Sequence, residues 1–301
     1  MTAATTAVRP SGALTPLITL CLAATWLVWG STYLAIKYAL VSFPPFFQMG
    51  TRFLLAGLVL LAWMRWRGKP LPGAREWRNA LIVGTLMLGG GMGGTAYAEQ
   101  TVGSGLVVAF IAVVPLMIAA FNLLWRIYPS RPELAGIVVG LTGVLMLTQG
   151  AGFQASPVGL AAIAIACVTW SLGSVLSQRS LPMAPGAMGF ASEMICGGAV
   201  LMVLALWTGE TPEWPPQPLA AGAWLYLVVF GSLIAFNAYM LLLSRASAAL
   251  ASSYTFVNPV IAMLLGVAVA GEHITSYEWM AAGVVLCGVV LMLRGAARRT
   301  R

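Results

Sequence analysis

Arg65-Trp66-Arg67-Gly68-Lys69-Pro70-Leu71-Pro72-Gly73-Ala74-Arg75-Glu76-Trp77-Arg78, residues 65–78, sets five cations between two long apolar runs. Lys and Arg are retained on the cytoplasmic side of a bilayer, so this stretch reads as a cytoplasmic connection between two membrane spans. The same test works outward in both directions. The other cations outside apolar segments are Arg9, Arg126, Arg131, Arg179, Arg245, Arg294, Arg298, Arg299 and Arg301, and they fall in alternate connections. The connections between them carry acids instead: Glu99, then Glu210 and Glu213, then Glu272. The alternation predicts an all-α membrane protein of ten transmembrane helices, with N and C termini both cytoplasmic.

Composition agrees. The chain of 301 residues is 60% hydrophobic and 8% charged, without Asp, and its mean hydropathy is +0.90. A soluble domain carries about 25% charged residues. A pI near 9.7 would suit a nucleic-acid binder, but the cations are spread over many connections and form no patch, so no nucleic-acid partner is expected. The lipid bilayer is the partner that composition names. A bilayer core of about 30 Å takes about 20 helical residues. Apolar runs of that order lie near 17–40, 45–64, 77–97, 102–124, 133–149, 157–177, 185–207, 219–243, 247–270 and 276–293. The first is too long for a signal-peptide core and no A-x-A site follows, so it is expected to stay in the mature chain. Trp63, Trp66, Trp77, Trp125, Trp207, Trp214, Trp224 and Trp279 fall at span ends, as an aromatic belt would place them.

The chain also repeats. Trp29-Gly30-Ser31 returns as Leu172-Gly173-Ser174 after 143 residues, Val114-Pro115 as Asn258-Pro259 after 144, and Gly143-Val144 as Gly288-Val289 after 145. An odd number of spans per copy inverts one copy against the other, the plan of many secondary transporters. The expected layout is a tail at 1–16, a first five-helix repeat at 17–150, a second at 151–294 and a basic tail at 295–301.

These landmarks resemble the EamA family of the drug/metabolite transporter superfamily. The resemblance is carried by Trp29-Gly30-Ser31-Thr32-Tyr33-Leu34, by Ser252-Ser253-Tyr254-Thr255-Phe256-Val257-Asn258-Pro259-Val260, and by Gly271-Glu272. Within the family the chain is similar to the YedA-type exporters and the YddG-type exporters of aromatic amino acids. The resemblance implies ten helices in two repeats, a bacterial inner membrane, and export of amino acids or related metabolites. The first half departs from the pattern, with Tyr128-Pro129 where the second has Gly271-Glu272.

Polar residues at membrane depth are the candidates for function. Trp26, Trp29 and Tyr33 recur at three and four residues and share a helix face with Ser31 and Thr32 nearby; Trp170, Ser174 and Gln178 recur at four. Cavity lining and helix packing both account for such faces, and their recurrence in both halves favours the cavity. Ser253, Tyr254 and Asn258 precede Pro259, which either frees carbonyls for a substrate or makes a kink that Ser or Asn satisfies. Pro115 is its counterpart. Gly89-Gly90-Gly91 and Gly93-Gly94 allow bending or close helix approach. Tyr97 and Glu99 suggest an outer gate, and Asn237 and Tyr239 further lining.

Lys37, near a helix end, can snorkel. Arg52 stands about 10 Å below the outer surface and Glu193 about 12 Å above the inner, at 1.5 Å per residue. In a core of about 30 Å that separation opposes a direct pair without tilt. Glu193, the one acid inside a span, is the candidate for proton coupling.

Cys21, Cys167, Cys196 and Cys287 sit in apolar runs without metal-ligand spacing and read as small core residues, and His273 stands apart. No metal or other cofactor is expected. An enzyme would need a His cluster, an acid pair or a nucleophile with a base, and primary transport a phosphate-binding loop; none is legible. The reading that remains is a secondary transporter of small amphipathic molecules, amino acids foremost. Other drugs or metabolites, a nucleotide-sugar-type carrier and a passive channel stay open as alternatives.

Overall fold

The computed structural model describes residues 15–102, 104–149, 156–270 and 275–298. Among these the chain is helical and forms no strand: α1 (Pro16–Ala39), α2 (Pro45–Trp66), α3 (Ala74–Ala98), α4 (Ser104–Ile111), α5 (Val114–Asn122), α6 (Arg131–Leu147), α7 (Pro157–Arg179), α8 (Ala187–Trp207), α9 (Pro218–Arg245), α10 (Ala248–Ala251), α11 (Tyr254–Ala270) and α12 (Ser276–Arg298). Arg9, Glu272, His273, Arg299 and Arg301 lie outside the described residues, as does the Gly271-Glu272 motif.

Local chemistry explains the starts. Thr15 and Ser156 accept from Ile18 N and Gly159 N, and Pro16 and Pro157 follow, in the first turn where a missing N–H costs nothing. Ser130 and Glu133 form a reciprocal capping box for α6.

Among the described residues, eight helical units are long and apolar enough to cross a membrane: α1, α2, α3, α7, α8, α9, α10–α11 and α12. The fourth and fifth expected spans are shorter. The fourth divides into α4 and α5 at Ala112–Val113, and α6 has 17 residues, at the lower limit for crossing. The ninth breaks similarly at Ser252–Ser253, ahead of Pro259, which stays inside α11. Pro115 instead sits in the first turn of α5.

Packing follows a pattern of exchange between halves. α2 packs on α8 and α6 on α12; α1 is flanked by α9 and α11, while α7 is flanked by α3 and by α4–α5. Lipid offers apolar surface as readily as another helix does, so tight association depends on small residues. A Cβ on Gly288 would stand 2.5 Å from Gly140 N, and one on Gly198 2.8 Å from Leu54 N. Outward faces are apolar: Leu58, Val138, Ile165, Val203 and Leu206 are exposed, with Trp66 and Trp207 at helix ends. Of the cysteines, Cys21 and Cys167 are core residues as expected, whereas Cys196 is half-buried and Cys287 points outward.

Two π-helical segments interrupt the third and eighth spans, Thr85–Gly93 in α3 and Leu227–Phe236 in α9. Such wide turns occur often at functional sites. Here each faces the centre: Gly91 and Met92 line the cavity described below, and Gly231 and Ser232 carry contacts to Trp29 and Arg52.

Candidate functional site

Four aromatic rings meet at the centre of the protein. Trp29 on α1 packs against Tyr254 at 4.6 Å, Tyr239 at 5.2 Å and Trp170 at 5.8 Å between ring centroids. Tyr239 in turn stacks on Trp170 at 5.2 Å and meets Tyr254 edge-on at 5.5 Å. Edge and offset contacts at such distances add to apolar burial. One ring comes from the first half and three from the second.

Hydrogen bonds fix the cluster. Trp29 Nε1 donates to Gly231 O at 3.3 Å, a carbonyl in the π segment of α9. The Tyr239 hydroxyl bonds Ser174 Oγ at 2.9 Å, and Ser174 also donates to Trp170 O. Trp26 Nε1 donates to Ser253 Oγ at 3.0 Å, at the break before α11. With its amide oriented to satisfy its neighbours, Asn258 donates to Tyr254 O at 3.0 Å and to Trp26 O at 3.1 Å, tying α11 to α1.

Beside the rings lies a cavity of about 60 Å³, lined by Trp29, Thr32, Tyr33, Trp170, Tyr254 and Asn258 among others. Met49, Thr95, Ile111 and Cys167 complete its wall. Sites for drug-sized ligands run to about 300–1,000 Å³. This conformation is therefore contracted around its centre, with room for water.

Eight of the sequence candidates thus converge: Trp26, Trp29, Thr32, Tyr33, Trp170, Tyr239, Tyr254 and Asn258, held by Ser174 and Ser253. Four lie elsewhere. Ser31 bonds the Tyr226 hydroxyl at 2.6 Å, Tyr97 stacks on Phe46 at 5.7 Å, Gln178 donates to Leu243 O, and Asn237 donates back to Leu233 O at 2.9 Å. Gly90 and Gly91 make room for α7, since a Cβ on Gly91 would stand 2.9 Å from the Trp170 ring.

The ionisable residues stand apart from one another. Arg52 is fully buried; its Nε donates to Ser232 Oγ at 3.0 Å and its guanidinium lies 4.6 Å over the Phe53 ring. Both Arg52 Nη atoms, Glu99 Oε1 and both Glu193 carboxylate oxygens are buried without a hydrogen-bond partner. Arg52 and Glu193 share no hydrogen bond.

One feature had no sequence signal. Glu210 accepts from Phe46 N at 3.1 Å and from Phe47 N at 2.7 Å, which places a carboxylate on the N-terminus of α2. Glu213 accepts from Ser42 Oγ at 3.0 Å, and Glu213 N donates to Ser42 O at 2.8 Å. Contacts more than 160 residues apart in sequence leave no local pattern to read.

The model of the EamA-like transporter family matches twice, over residues 14–149 and 157–294. The chain belongs to the EamA-like transporter family. It is 42% identical over 274 residues to the uncharacterised inner membrane transporter YedA of Escherichia coli (strain K12), covering 90% of this chain and 89% of that one. It is 27% identical over 242 residues to the protein PecM of Dickeya dadantii, covering 79% and 80%. The uncharacterised transporter YoaV of Bacillus subtilis is 24% identical over 91% of this chain and 95% of its own. A solved crystal structure superposes with a TM-score of 0.76 over 94% of this chain and 99% of its own, at 22% identity, which shows a shared fold. This EamA-like protein is a multi-pass transporter of the inner membrane.

Proposed function

We propose that this EamA-like transporter exports small amphipathic metabolites, amino acids with apolar or aromatic side chains foremost, by alternating access. The observation that carries the reading is the ring cluster of Trp29, Trp170, Tyr239 and Tyr254 beside a cavity with Thr32, Tyr33 and Asn258 in its wall. Ring faces suit an apolar side chain, and hydroxyls with an amide suit a polar head.

Ten spans in two inverted five-span repeats, with both termini cytoplasmic, make such a site accessible from either side in turn. The double match of one family model, the exchanged packing of the halves and the paired π segments support that arrangement. Rocking of one repeat against the other then opens the centre first inward and then outward.

Glu193 is the candidate for proton coupling. It is fully buried and its carboxylate has no hydrogen-bond partner. An acid buried without a partner at membrane depth is costly and marks a functional position.

Counterflow in proteoliposomes against a panel of labelled amino acids, sugars and nucleotide sugars tests the substrate. Flux is expected for amino acids with aromatic or large apolar side chains, and a panel without amino-acid flux sinks the claim. Glu193→Gln is expected to abolish the pH dependence of that flux; unchanged pH dependence and rate would remove Glu193 from the mechanism.

A further inference from the structure

Two opposite charges, Arg52 fully buried and Glu99 half-buried, stand unjoined near the central cavity. Arg52 uses Nε on Ser232 and its face on Phe53, leaving both Nη atoms free. They lie between α1 and α9: a Cβ on Gly231 would stand 3.6 Å from Arg52 Nη2 and 3.5 Å from Thr32 Cγ2. Thr32 is in the cavity wall, as is Met49, one turn before Arg52 on α2. Glu99 caps the end of α3, one turn beyond the wall residue Thr95, with Oε1 buried and free. Tyr33, also in the wall, lies within electrostatic reach of Glu99. Arg52 and Glu99 share no hydrogen bond.

Isolated charges at membrane depth are costly, and a pair that served stability alone would close. A pair held open with free donors on one side and a free acceptor on the other is complementary to a zwitterion. We infer that Arg52 and Glu99 are the two poles of the substrate site, Arg52 taking the carboxylate and Glu99 the ammonium of an α-amino acid. A guanidinium whose Nη atoms are both free is shaped for a carboxylate. The ring cluster then takes the side chain. This assignment rests on the reading of the central cavity as the substrate site, and it explains why a zwitterion is preferred over an amphipathic molecule of one charge.

Isothermal titration calorimetry on the full chain in nanodiscs tests it with three probes: L-phenylalanine, phenethylamine, which lacks the carboxylate, and 3-phenylpropionate, which lacks the ammonium. The unsubstituted protein is expected to bind phenylalanine about tenfold or more tightly than either analogue, the scale of a charge-assisted contact. In Arg52→Gln the preference over phenethylamine collapses to within about twofold while that over 3-phenylpropionate remains; Glu99→Gln gives the mirror result. Arg52→Lys, which keeps the charge, retains part of the preference and guards against a misfolded Arg52→Gln. Trp29→Ala weakens all three probes together, which tests the cavity separately. Unchanged preferences in both polar variants, or a uniform loss across probes, overturn the pole assignment and leave the cavity standing. Absence of binding by all three probes overturns both.

Discussion

The two ends of the protein are closed by different means. At the outer end, in the proposed orientation, the loop before α9 is strapped to the start of α2. Glu210 caps Phe46 N and Phe47 N, Glu213 and Gln217 N both bond Ser42, Phe46 stacks on Tyr97, and Trp224 Nε1 donates to Thr51 Oγ1 at 3.1 Å. At the inner end the corresponding connections meet through Asn79 Nδ2 and Pro182 O at 2.8 Å, Gln178 Nε2 and Leu243 O, and Arg179 Nε and Asn122 Oδ1 at 3.4 Å. A cavity of about 320 Å³ opens there, lined by Gln178, Pro182, Phe190, Met240 and Arg245. Among the described residues the outer end is therefore held by carboxylates on backbone and hydroxyl donors, and the inner end by amides and a guanidinium beside an open cavity. The outer acids also gain a second role, because those that mark the loop as external hold it shut as well.

Cutting the strap should have the strongest consequence. Glu210→Ala with Glu213→Ala removes charge-assisted bonds of about 1.5–3 kcal/mol each at full strength, discounted for partial exposure. Cys167, in the cavity wall, is a native reporter once the other three cysteines are replaced by alanine. Its labelling by a membrane-impermeant thiol reagent from outside should rise about tenfold or more. An unchanged rate would show that the strap does not govern the outer opening.

Trp224→Phe keeps the ring and deletes one hydrogen bond, of about 0.5–1.5 kcal/mol. Outside labelling of Cys167 should rise several-fold, less than with the acids removed. Asn79→Ala removes one neutral bond among several at the inner end. It should leave outside labelling unchanged and raise inside labelling by about twofold or less. If Asn79→Ala matched the acid pair, the two ends would be equally closed and the contrast would fail.

Much of this was legible in the sequence. Composition and apolar run lengths pointed to an all-helical multi-span membrane protein, and the spacing of Trp26, Trp29 and Tyr33 and of Trp170 and Ser174 marked the faces that meet. Hydroxyls and amides were less legible, because in an apolar medium each can also bond a carbonyl of its own helix. Asn237 does so with Leu233 O, whereas Ser174 reaches both its own turn and Tyr239. The glycine run at 89–94 and Pro115 marked the first π segment and the break at Ala112–Val113, whereas the break at Ser252–Ser253 and the π segment of α9 have no local signature, since partner helices can re-satisfy backbone groups there. The role of Glu210 depends on a loop meeting a helix 163 residues away.

If the ring cluster belongs to a carrier's substrate site, Trp29 must matter to coupled exchange. Counterflow of labelled L-phenylalanine into proteoliposomes preloaded with unlabelled phenylalanine measures this, with Trp29→Ala beside the unsubstituted protein. Internal substrate should accelerate uptake by the unsubstituted protein. In Trp29→Ala the rate should be about tenfold or more lower, the scale of losing a well-packed ring at a binding centre. Flux indifferent to internal phenylalanine, or to the loss of Trp29, would refute the assignment.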